Sequence, residues 1–100
     1  MKQEFKQYYK EFLDCWGYDA QALMLIEEMS ELTKEICKRN RKREDYKEED
    51  MIEEIADVLN MVEQLEYVFG EDKVEAVREQ KIQRTLKRLS KWKENQGKGE

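Results

Sequence analysis

At 100 residues with no evident linker, the chain has the length of one domain and little interior with which to offset chain entropy, so self-association is expected. Its 19 basic and 24 acidic residues give a net charge of −5, which excludes a broad nucleic-acid surface built on phosphate neutralisation but leaves room for a small phosphate ligand delivered with a metal ion. Histidine is absent, which removes Ser/His/Asp, Cys/His and histidine–zinc mechanisms internal to one subunit, and Cys15 and Cys37 stand too far apart for a zinc knuckle or a redox CxxC pair.

Proline is also absent, and the only glycines are Gly17, Gly70, Gly97 and Gly99, so helix is the expected state almost throughout. A first helix is predicted over about Lys2 to Cys15, with Phe5, Tyr9, Phe12 and Trp16 near one side and Gly17 as the break. Asp19 is the expected cap of a second helix reaching about Lys38, whose apolar face holds Tyr18, Ala22, Leu25, Met29, Leu32 and Ile36. Lys38 to Asp50 is almost wholly charged apart from Tyr46 and reads as a solvated crossing or a frayed helix end. Ile55, Val58, Leu59, Val62 and Leu65 then repeat at helical spacing within a third helix over about Met51 to Phe69, closed by Gly70.

A fourth helix over about Glu71 to Lys93 packs through Val74, Val77, Ile82, Leu86, Leu89 and Trp92. The expected architecture is all-α: an antiparallel bundle of about four helices spanning residues 1–94 as a single domain, with a polar tail over 95–100, completed by assembly into a homodimer or homotetramer. No apolar stretch approaches the roughly twenty residues needed to cross a bilayer, and the amino terminus has no signal-peptide segment, so a cytoplasmic location without a membrane partner is expected.

Four acids do not fit a bland amphipathic helix. Glu28 and Glu31 are three apart, as are Glu54 and Asp57, which puts each pair on neighbouring turns of one face. Val58, Met61 and Leu65 project in nearly the direction of Glu54, and Glu28 is bracketed by Met24, Leu25 and Leu32, so these carboxylates interrupt apolar stripes. Burying them uncompensated would cost several kcal/mol each. Pairing with Lys73, Lys81 or Arg84 is one solution; a hard cation such as Mg²⁺, which prefers several oxygen ligands, is the sharper one. Glu27 and Glu53 point about 100° away from the acids that follow them and are candidates for binding water or accepting a proton. Glu35 continues the Glu28 and Glu31 flank. Asn60, three residues after Asp57, extends the polar strip, and Phe12 or Trp16 offers a flat face to a base.

The segments Glu27-Glu28-Met29-Ser30-Glu31 and Glu53-Glu54-Ile55-Ala56-Asp57 resemble the EExxE and EExxD motifs of the MazG-like all-α nucleoside triphosphate pyrophosphohydrolases. Trp16-Gly17, Gln21, Leu32 and the Asp57-Val58-Leu59 continuation also look like that family, over roughly Phe12 to Arg88. The resemblance implies Mg²⁺ held by Glu28, Glu31, Glu54 and Asp57, with cleavage between the α and β phosphates of a nucleoside triphosphate to give a monophosphate and pyrophosphate. It further implies one of these four acids, or Glu27 or Glu53 beside them, as proton acceptor, Lys81 and Arg84 as phosphate contacts, and Trp16, Gln21 and Asn60 around the nucleoside. No stable nucleic-acid partner is expected. The competing account is a non-catalytic helical oligomerisation or nucleotide-binding protein that leaves the same acids in water.

Overall fold

The computed structural model describes residues 1–98, and these form four α-helices: α1 Gln3–Trp16, α2 Tyr18–Asn40, α3 Glu48–Phe69 and α4 Glu71–Lys98. The described residues contain no strand. None of these helices is long and apolar enough to cross a membrane. The chain divides into two compact units, Met1–Val68 and Phe69–Glu100.

In the first unit, α1 ends because Gly17 adopts φ +84°, a left-handed conformation strained for any residue with a Cβ. The Gly17 N–H donates to the Leu13 carbonyl at 2.8 Å, and its own carbonyl accepts from Gln21 N–H at 3.2 Å, so one residue closes α1 and opens α2. Asp19 is therefore not the cap. It lies inside the first turn of α2, where its charge faces the helix's free N–H groups, and the cap position is Gly17.

The crossing after α2 is short and held by charge. Arg43 makes two hydrogen bonds to the Asp45 carboxylate, at 3.0 and 3.1 Å. The third helix starts at Glu48, three residues earlier than predicted. Glu48, Glu49 and Asp50 fill its first turn, and three acids there favour helix by facing its unpaired amides.

Among the described residues, only Tyr9, Leu25 and Met61 form the buried apolar core. Tyr18, Met29, Ile36, Ile55 and Leu59, all expected to pack inward, are exposed. The interior of this unit is polar to an unusual degree, since Gln21, Glu35 and Gln64 are buried in it.

In the second unit, Gly70 at φ +107° separates α3 from α4. The fourth helix runs on through Lys98, beyond the predicted end near Lys93, because Glu94, Asn95 and Gln96 contain nothing that breaks a helix. The expected tail over 95–100 is thus helical as far as it is described, and residues 99–100 lie outside the described residues. Val77, Ile82, Leu86, Leu89 and Trp92 of α4 are exposed.

Candidate functional site

Helices α2 and α3 run antiparallel in a matched register. Gln21 Nε2 donates to Gln64 Oε1 at 2.7 Å, and seven residues along each helix in opposite directions Glu28 stands beside Asp57. Equal steps along two helices keep the partners facing each other over about 10 Å. Because Glu54 is three residues from Asp57, it shares that face.

Carboxylate oxygens of Glu28, Glu54 and Asp57 all lie within 4.8 Å of one another. Glu28 and Glu54 are half-buried and Asp57 is exposed. Partial burial, followed by the charges of Asp57 and Glu54, raises the Glu28 pKa above its ordinary value. Burial, followed by Asp57, Glu31 and Glu35, does the same to Glu54, against a smaller lowering by its hydrogen bond with Glu28.

A cation would relieve this repulsion. The Glu54 Oε2 atom is buried without a hydrogen-bond partner, and the ion pairs of the described residues involve none of the three acids. Three carboxylates from two helices, one of them with a spare buried oxygen, suit a hard divalent ion that takes oxygen ligands and keeps several waters. Soft ions are a poorer match, because both thiols, Cys15 and Cys37, are exposed and neither belongs to this group.

A cavity of about 510 Å³ adjoins two of these acids. Glu28 and Asp57 line it together with Phe12, Trp16, Met24 and Met61, and with the amides of Gln21, Asn60 and Gln64. Phe12 and Trp16 are stacked, with ring centroids 5.7 Å apart and planes at 28°. A volume of this order, apolar walls and a few convergent polar groups are what a drug-sized organic ligand requires.

The sequence-predicted residues distribute unevenly over this geometry. Trp16, Gln21 and Asn60 line the cavity, and Glu28, Glu54 and Asp57 form the close group. Glu31 is exposed and outside that group, although its charge acts on both Glu28 and Glu54. Glu27 and Glu53 are exposed and line no part of the cavity. Lys81 and Arg84 belong to the second unit, where they line a separate pocket of about 300 Å³ with Val77 and Gln80.

Sequence reasoning missed Gln64, Met24 and Met61 as lining residues. For Gln64 a signal existed: Asp57, Asn60 and Gln64 follow one another at three and four residues along one helical face. It also left Glu35 as a flank residue, whereas Glu35 is buried, with Oε1 accepting from Lys38 Nζ at 3.2 Å and Oε2 unpartnered. Compared with known proteins, the chain matches no family model, no curated protein and no solved structure.

Proposed function

We propose that this chain is a Mg²⁺-dependent nucleoside triphosphate pyrophosphohydrolase of the MazG-like type, cleaving the α–β phosphate bond to release a nucleoside monophosphate and pyrophosphate. The observation that carries this reading is that Glu28 and Asp57 belong both to the close acid group and to the lining of the adjacent cavity. A nucleotide in that cavity would bring its phosphates to the acids. The two ordered acidic motifs support the same reading.

In this account Glu28, Glu54 and Asp57, joined by Glu31, would hold the cation. When bound, Mg²⁺ supplies charge neutralisation along the phosphates and makes an attacking water more acidic. Trp16 and Phe12 provide flat surface for the base, Met24 and Met61 exclude water around it, and Gln21 and Asn60 meet its polar edges or the sugar. One of these four acids, or Glu27 or Glu53 beside them in sequence, accepts the proton of the attacking water, and a carboxylate suffices for this without histidine. The protein acts in the cytoplasm.

The exposed apolar residues favour a second component of the reading. Leu23, Ile26, Ile52 and Leu59 lie on the outside of α2 and α3, and such surface is normally covered by a partner. We assign it to further copies of this chain, in a homodimer or homotetramer. A helical oligomerisation protein without catalysis would use the same surface, and one experiment separates the two. A panel of nucleoside triphosphates is incubated with Mg²⁺ and the products are resolved. Pyrophosphate release that chelation abolishes and Glu54→Gln removes supports the enzyme; no turnover of any nucleotide by the intact chain overturns it.

A further inference from the structure

Two buried primary amides meet in the cavity wall. Gln21 is 7% exposed and Gln64 3%, and they are joined by the 2.7 Å bond from Gln21 Nε2 to Gln64 Oε1. The nitrogen of Gln64 is occupied in turn, donating to the Asn60 carbonyl at 3.4 Å and to Met61 Sδ at 3.5 Å. Both of these neighbours are acceptors only. Reversing the Gln64 amide would set its carbonyl oxygen against two acceptors on a residue only 3% exposed, so the amide has one favourable orientation. That orientation presents oxygen to α2, and Gln21 must turn its nitrogen toward it.

The consequence falls on Gln21. A primary amide carries two N–H donors and one carbonyl oxygen, and the pair with Gln64 uses a single donor. One N–H and the carbonyl oxygen remain, on a residue that lines the cavity. Their polarity is fixed, because the end of the amide held by Gln64 cannot exchange with the other. A carboxamide offering one donor and one acceptor matches the hydrogen-bonding edge of a nucleobase. Sugars and phosphates do not require that arrangement.

We infer that Gln64 is a positioning residue that locks the Gln21 amide so that Gln21 reads the edge of a nucleobase in the cavity. The inference rests on the nucleotide reading above and adds to it the element that makes base recognition directional. Stacking on Trp16 and Phe12 tolerates any base, whereas an oriented amide accepts one edge and leaves a mismatched one with unpaired groups.

The test uses calorimetric titration of the full chain in Mg²⁺ with AMP, GMP, CMP, UMP and ribose 5-phosphate, none of which carries the scissile bond. The wild type is expected to bind one monophosphate best and ribose 5-phosphate worst. Gln64→Leu should weaken the preferred monophosphate about tenfold, the equivalent of one hydrogen bond, and bring the four bases close together. Its affinity for ribose 5-phosphate should not change. Gln64→Glu, protonated when buried, retains an oxygen toward Gln21 and an O–H toward the Asn60 carbonyl, so it should restore the preference. Gln64→Met replaces the leucine variant if that one loses helix content.

Equal loss of ribose 5-phosphate binding, an unchanged preference in Gln64→Leu and Gln64→Met, or wild-type binding that ignores the base would each overturn the inference. So would the absence of saturable binding by any monophosphate. The hydrolase reading is judged separately by pyrophosphate release. Base-selective binding without turnover would remove the enzyme and leave Gln64 in its role, and turnover with no base preference would do the reverse.

Discussion

The Tyr9 hydroxyl donates a hydrogen bond to the Glu63 carboxylate, tying α1 to α3 across most of the first unit. Tyr9 is among the three buried apolar residues of the described chain, so this part-buried bond anchors one member of a very small core. Burial of the phenol, then the bond to Glu63 and the charges of Glu63 and Glu66, hold its pKa far above the ordinary 10.0. A raised folded-state pKa means that the stabilisation is complete below pH 10.0 and is lost as pH rises beyond it. Tyr9→Phe is therefore expected to destabilise the chain by about 1.5 kcal/mol at pH 7, because the acceptor is charged. The gap from the wild type should close at alkaline pH. Thermal melts at pH 7 and above pH 10 check this; equal melting temperatures at pH 7 would contradict it.

The acid group makes the opposite contribution. Glu28 and Glu54 are both raised above their ordinary 4.5, chiefly by burial and then by the acids around them, so the folded state disfavours their charged forms. That penalty is absent below the ordinary value and sets in as pH rises through the folded pKa. In chelator at pH 7, Glu28→Gln and Glu54→Gln should each melt at a higher temperature than the wild type, with the difference vanishing near pH 4. Adding Mg²⁺ should reverse the order. A ligand at a hundred times its Kd stabilises by about 2.7 kcal/mol, and only the wild type retains the full ligand set. Melting curves with and without Mg²⁺ decide it, and a wild type indifferent to Mg²⁺ would remove the proposed cation.

Geometry also ranks the proposed ligands. Asp57 belongs to the group within 4.8 Å and lines the cavity, whereas Glu31 stands outside both. Asp57→Asn should lower pyrophosphate release by more than about 100-fold, above the loss typical of residues that merely support a ligand, and Glu31→Gln by about tenfold. Rates under saturating nucleotide and Mg²⁺ measure the difference. A Glu31→Gln defect as deep as that of Asp57→Asn would show that Glu31 moves onto the cation when it binds.

Much of this was legible in the sequence, for identifiable reasons. Gly17 and Gly70 adopt the positive φ that other residues avoid, so both helix breaks could be read directly. Glu28, Glu54 and Asp57 could be brought together because three-residue spacing on antiparallel helices leaves few alternatives. The start of α3 was misplaced because the acids of Glu48 to Asp50 resemble a solvated connection and act instead as a helix-starting turn. The core was the poorest reading. Periodicity identifies an apolar face without saying what covers it, and Ile55 and Leu59 lie exposed on a face that reads as buried. Gln64 escaped notice because a lone glutamine on α3 carries no chemistry until Gln21 is seen opposite it.

Those exposed faces yield a prediction about assembly. Ile52 is 59% exposed and Leu59 56%, one heptad apart on α3. A chain of 12.2 kDa with so few buried apolar side chains is expected to sediment as a dimer or tetramer. Leu59→Asp should shift the mass toward that of the single chain and lower the melting temperature, because it places a charge on apolar surface that the proposed assembly would cover. Sedimentation equilibrium gives the masses directly; a monomeric wild type would return the apolar face to solvent and remove the proposed assembly.

Trp16 offers the last test, since it combines 60% exposure with a place in the cavity lining. It is stacked on Phe12, so its indole is held in a defined plane. A base laid against that plane gains about 1 to 3 kcal/mol relative to an alanine site. Trp16→Ala should therefore raise KM about tenfold or more while leaving kcat within about threefold, because the proposed role of the indole is to hold the base and not to act on the phosphates. Trp16→Phe keeps a ring and should lose little. A structural role alone would act through folding, lowering helix content and affecting ribose 5-phosphate binding as much as that of a nucleotide. Steady-state kinetics of the two variants, with circular dichroism as the control, distinguish stacking from packing: a fall in kcat without a rise in KM would place Trp16 outside the base site.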